Sequence, residues 1–134
     1  MLFRSRFVDE QEYTGTRDVA AWLTLPDAIA WVDAHVAPQR AQLHRMTQEA
    51  RTLLADISGL PPLAAPELHA QMVAVPLPAG DAFALQARLL AEHGVEVAAN
   101  RWAGQPHLRV SLQVYNTPDD LERLARGLRA VLER

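Results

Sequence analysis

Apolar residues Leu25, Ala28, Ile29, Val32 and Val36 recur at three and four positions, which predicts an amphipathic helix. Thr24 is its expected N-cap, with Pro26 in the first turn and Pro38 as the stop or kink. A longer helix is predicted over residues 39–57, where Leu43, Met46, Ala50, Leu53, Leu54 and Ile57 share one face and Arg40, Gln48, Glu49 and Arg51 the other. Gly59 should end it. Residues 60–67 hold three of the nine prolines and read as an extended connection.

Beyond Gln71 the pattern changes. Residues 72–77 form a short β-leaning run, with Pro76 implying an edge or a strand end. Asp81 can cap a helix carrying Ala82, Leu85, Leu89 and Leu90, and His93-Gly94 marks its C-terminus. A second strand is expected at residues 95–98 and a turn around residues 104–106. Residues 108–115 then alternate, with Leu108, Val110, Leu112 and Val114 on one face and Arg109, Ser111, Gln113 and Tyr115 on the other. A last helix should start at Thr117 with Pro118 at its first position and Asp119 and Asp120 against its positive end, burying Leu121, Leu124, Leu128, Val131 and Leu132. The expected fold is α+β, with an antiparallel or mixed sheet of about three strands covered on one face by helices. Residues 1–134 are read as one domain, an N-terminal arm (1–23) followed by the α+β body (24–134).

Composition narrows the choice of function. The 134 residues are 49% hydrophobic, enough for one core, and a net charge of -3 without long single-sign blocks favours neither nucleic acid nor an anionic membrane. All 13 basic residues are arginine. The absence of cysteine excludes disulfides and thiolate chemistry, and no stretch approaches the roughly 20 apolar residues of a membrane span, so a soluble cytoplasmic protein is expected. His35, His44, His69, His93 and His107 lack metal-ligand spacing and are expected at the surface or at helix ends, with no metal site. Ser5, Ser58 and Ser111 lack a nucleophile-elbow context, and Asp9, Glu10 and Glu12 read as a solvated acidic run. Trp22, Trp31 and Trp102 are expected in core or interface packing.

Two motifs remain. One is Tyr13-Thr14-Gly15-Thr16-Arg17-Asp18 before Trp22-Leu23 and a Pro26 helix entry; the other is Leu108-Arg109-Val110-Ser111-Leu112-Gln113-Val114-Tyr115-Asn116-Thr117 before Asp119-Asp120-Leu121. In that order and separation the chain resembles, over nearly its whole length, the C-terminal part of class V aminotransferases. These are pyridoxal-phosphate enzymes of fold type I that include cysteine desulfurases and isopenicillin N epimerase-like proteins; the latter branch is the nearer in its motifs. The resemblance implies that Gly15 and Thr16 reach the cofactor phosphate, often across a dimer interface, and that Arg109 grips the substrate α-carboxylate. Glycine permits close approach, a threonine hydroxyl donates to phosphate, and a guanidinium matches a carboxylate at two points. Asn116 and Thr117 are also explained as caps of the last helix.

In such enzymes the cofactor is held as a Schiff base on a lysine upstream of the Gly-Thr segment, in a large domain. This chain has no lysine. It is therefore expected to be an orphan or split small domain beginning at its own Met1, with no covalently bound cofactor, no turnover by itself and at most weak binding of amino-acid carboxylates. The alternatives are a stand-alone binding or assembly module, or half of a split enzyme completed by a separate large-domain chain. A homodimer is expected, through Leu2, Phe3, Phe7, Tyr13, Trp22 and Leu23. Desulfuration, epimerisation and transamination share these motifs, so the parent reaction stays open.

Overall fold

The structure, a computed structural model, describes residues 18–133. Helices α1 (Ala20–Leu23), α2 (Leu25–His35) and α3 (Arg40–Ser58) come first, with a 3-10 turn at Ala37–Gln39 between the last two. Strand β1 (Met72–Pro76), helix α4 (Ala82–His93), strands β2 (Ala98–Trp102) and β3 (Gln105–Ser111) and helix α5 (Pro118–Leu132) follow. The sheet order is β1-β3-β2 and both pairings are antiparallel, as the α+β reading anticipates.

Alternation along the strands builds the core. Val73 lies opposite Val110, and Leu108 lies between Val75 and Ala99, so these side chains share the face onto which α3 and α4 pack. Helix α5 rests against both helices and adds Leu121, Leu124, Leu128 and Val131. Leu54, Leu89, Leu108 and Leu128 are wholly enclosed, each adding about 1.5 to 3 kcal/mol of burial. The proline-rich connection folds back along α3, where Gln48 Nε2 donates to the Pro66 carbonyl at 2.9 Å and Arg51 to that of Ala64 at 3.0 Å.

Helix starts follow their sequence signals at α4 and α5. Asp81 Oδ1 accepts from the N–H groups of Phe83 (2.9 Å) and Ala84 (3.2 Å). At α5 the Asp120 carboxylate reaches back to the Thr117 N–H (2.9 Å) and hydroxyl (3.2 Å), with Pro118 in the first turn. Thr24 departs from its expected role. It is already helical, and its hydroxyl donates to the carbonyls of Ala20 and Ala21, so the turn before it continues almost directly into α2.

Strand boundaries depart from the alternation. Residues 95–97 are unpaired, with the Val97 carbonyl taken by Gln86 Nε2 at 2.7 Å, and pairing begins only at Ala98. The connecting turn is Ala103-Gly104, both with positive φ (49° and 81°), the geometry that two-residue hairpins favour. Pro106 therefore lies inside β3 rather than in the turn. Its carbonyl accepts from Leu77 N–H at 2.9 Å, and the side-chain amide of Gln105 supplies Leu77 with the donor that proline lacks. At the far end, β3 stops at Ser111 rather than at Tyr115, because Asn116 Oδ1 takes the Gln113 N–H at 2.8 Å and the Gln113 carbonyl takes the Asn116 N–H.

Two packing expectations are corrected. Of the core or interface packing expected for Trp22, Trp31 and Trp102, the core alternative fails: they are 70%, 54% and 72% exposed. Of the α2 stripe only Val36 is buried, since the helix touches little beyond its chain neighbours and its apolar side faces no described element. His107 is buried rather than at the surface, and neither ring nitrogen has a hydrogen-bond partner among the described residues.

Candidate functional site

A groove of about 460 Å³ lies where β3 runs past the start of β2 and meets the first turns of α5. Its floor is apolar, with Val110, Leu112, Leu121 and Leu124; Arg109, Ser111, Asn116, Glu96 and Arg123 bring polar groups to it. That volume suits a small molecule.

Arg109 sits on β3 with Ala74 opposite on one side and Ala98 on the other. Two alanines leave the space around a long side chain open. The residue is exposed, on the strand positions that alternate away from Leu108 and Val110, and makes no hydrogen bond or ion pair with a described residue. A guanidinium held on a rigid strand with its donors free is suited to a carboxylate or phosphate. Asn116 and Asp120, by contrast, are engaged. Asn116 closes the turn that ends β3, and the Thr117 backbone N–H and then its hydroxyl hold the Asp120 carboxyl below the usual carboxylate range. Asp120 is thus an ionised cap at the positive end of α5, and the nearby cation that acts on it is Arg123.

Gly15 and Thr16 lie outside the described residues, as do Asp9, Glu10, Glu12, Leu2, Phe3, Phe7 and Tyr13. Among the described residues no three histidine, aspartate or glutamate side chains converge on a possible metal site, and no helix is long and apolar enough to cross a membrane. A second hollow, about 450 Å³, flanks the end of β3 between Leu68, Met72, Gln113 and Tyr115. Sequence reasoning singled out Arg109 but assigned no role to Glu96, Ser111 or Arg123. They share a groove with it only because β2 begins at Ala98, a boundary that alternation misplaced.

A three-stranded antiparallel sheet under helices makes a small α+β domain, with Arg109 on its central strand ahead of the Asn116-Thr117 turn into α5. The chain belongs to the class V aminotransferase family, whose profile matches residues 8–124. It is 38% identical over 125 residues to isopenicillin N epimerase of Streptomyces clavuligerus, covering 90% of this chain and 31% of that protein. It is 34% identical over 122 residues to isopenicillin N epimerase of Amycolatopsis lactamdurans, covering 88% and 31%. The chain thus spans about a third of the length of these curated relatives.

The family depends in general on pyridoxal phosphate, which supplies an electron sink for carbanion chemistry when bound. The residues here do not fit the covalent holding of that group. Its anchor is an amine, the 134 residues include no lysine, and the groove offers guanidinium, hydroxyl and amide donors instead.

Proposed function

We propose that the chain is the carboxylate-recognising small-domain portion of an epimerase-like class V aminotransferase, and that it has no turnover by itself. The unpaired guanidinium of Arg109 between two alanines, at the mouth of a groove, is the observation that carries this reading. Arg109 takes an amino-acid carboxylate, and Gly15 and Thr16 are the residues assigned to a cofactor phosphate. The amine comes from a large domain supplied in another chain or in a longer form of this one.

Titration of the labelled protein with an L-amino acid, followed by NMR, tests the carboxylate half. An exposed arginine-carboxylate pair contributes only about 0 to 1 kcal/mol, so the expected dissociation constant is millimolar or weaker and Arg109→Ala abolishes the response. Micromolar affinity lost in that variant would mean a fully formed pocket and a stand-alone binding module. A response unchanged in the variant would remove Arg109 from the site.

Association is the second reading, and it rests on α1 and α2. Trp22, Leu23, Ile29 and Trp31 are all more than half exposed, a concentration of apolar surface that water does not favour. A second copy of the chain covers this surface in the homodimer we propose, burying at least the roughly 1,000 Å² of a specific interface. A separate large-domain chain is the alternative occupant.

A further inference from the structure

We infer that Ser111 is a second ligand-contacting residue of the groove, its backbone N–H and hydroxyl receiving the carboxylate oxygen turned away from Arg109. The inference rests on the carboxylate reading of Arg109 and comes from the hydrogen-bond register of β3. Leu112 N–H donates to the Gln71 carbonyl and Leu77 N–H to that of Pro106, so the even-numbered residues of β3 direct their backbone groups toward β1. In an antiparallel ladder successive residues point to opposite sides. Arg109 and Ser111 therefore direct theirs toward β2. Arg109 meets Ala98 there, but β2 begins at Ala98, and continued register would have set Glu96 against Ser111. The chain at residues 94–97 is not paired to β3, and the Ser111 N–H has no described acceptor.

An unpaired edge N–H is a strong donor in want of a partner. Here it opens onto the same groove as Arg109, two residues away on one strand and hence about 6.6 Å along it. The Ser111 hydroxyl, exposed and without a described hydrogen bond, adds a third donor on the side-chain face it shares with Arg109. A guanidinium, an N–H and an O–H presented two residues apart by one strand complement a carboxylate, which has lone pairs on both oxygens.

The test is a titration of the ¹⁵N-labelled full chain with acetate at constant ionic strength, with acetamide as the uncharged control. The Ser111 amide and the Arg109 Nε–H should shift together on one isotherm with acetate and stay still with acetamide. Three variants separate the contributions. Arg109→Gln should abolish the response of the Ser111 amide. Ser111→Pro removes the hydroxyl together with an N–H that the sheet does not use, a substitution tolerated where a strand has no neighbour on that side, and should weaken binding read at Arg109 about tenfold while the cross-strand contacts persist. Ser111→Ala should weaken it about twofold. An Arg109 response that saturates normally while the Ser111 amide is still and Ser111→Pro binds as the parent does would overturn the role of Ser111 and leave the carboxylate reading standing. No response at Arg109 would overturn the carboxylate reading itself. Should the Ser111→Pro chain not fold, the Ser111 amide and Ser111→Ala carry the test, and a still amide with parental affinity in Ser111→Ala would overturn the inference.

Discussion

Replacing Gly127 tests how closely the two helices that wall the groove approach each other. A Cβ built on Gly127 of α5 would lie 3.1 Å from Leu89 Cδ2, 3.1 Å from His93 Cγ and 3.2 Å from His93 Cβ, tighter than ordinary van der Waals contact. Neither neighbour can give easily. The His93 atoms are the stem of its side chain, next to the backbone of α4, and Leu89 is fully buried in the core. Alanine in a helix interior gains about 1 kcal/mol over glycine in propensity, whereas overpacking of this kind costs about 1 to 3 kcal/mol. Gly127→Ala should therefore be neutral to about 2 kcal/mol destabilising, and Gly127→Val, with two further methyl groups and a smaller gain in propensity, at least about 2 kcal/mol destabilising. At about 4 °C per kcal/mol for a chain of this size, the valine variant should lose about 8 °C in thermal unfolding followed by circular dichroism. Because α4 leads into residues 94–97 and α5 carries Leu121 and Leu124, the same variant should also perturb the groove amides. An alanine variant about 4 °C more stable than the parent would show that propensity acts unopposed and that the helices are farther apart than described.

Three other outcomes are expected. His107 is 2% exposed with both ring nitrogens unpartnered, so His107→Leu should leave stability unchanged or raise it by about 1 kcal/mol in urea unfolding; a loss above about 2 kcal/mol would mean the ring has an unseen partner. Asp120, whose carboxyl is held low by the Thr117 N–H and hydroxyl, binds its proton less readily folded than unfolded; its contribution is complete above the unfolded value of about 4 and is lost as pH falls through the folded value, so the parent and Asp120→Asn should converge in stability at low pH. Sedimentation across a concentration series should show dimers weakened by Trp22→Ser with Trp31→Ser, and a monomer at high concentration would refute the association reading.

The parts of the fold legible in the sequence were those where one local signal had no competitor. The α3 stripe from Leu43 to Ile57, the Asp81 cap and the Thr117-Pro118 start each fall within a residue or so of expectation. Strand ends were not legible, because they are set by partners: Ala103-Gly104 fixes where β2 pairs, and the Asn116 side chain removes Gln113 from the ladder although the alternation runs on to Tyr115. Pro106 was misread as a turn residue since nothing in its neighbourhood shows that the Gln105 side chain will stand in for its missing N–H. At the site, Arg109 was legible through the motif around it, while the groove depends on β2 stopping at Ala98. The periodicity of Leu25, Ile29 and Val32 was correctly helical, yet burial did not follow from it, as amphipathicity specifies a face and leaves its partner open.

Exchange of the Cα hydrogen of an L-amino acid, followed by ¹H NMR in D₂O with pyridoxal phosphate present, addresses most directly whether this chain recognises a carboxylate but lacks the amine its family uses. The rate with the chain added should equal that of pyridoxal phosphate alone, and borohydride treatment should leave no pyridoxyl group on any internal residue. Exchange faster than the free cofactor supports, lost on Arg109→Gln, would show that the chain turns substrate over without a lysine and would contradict the assignment.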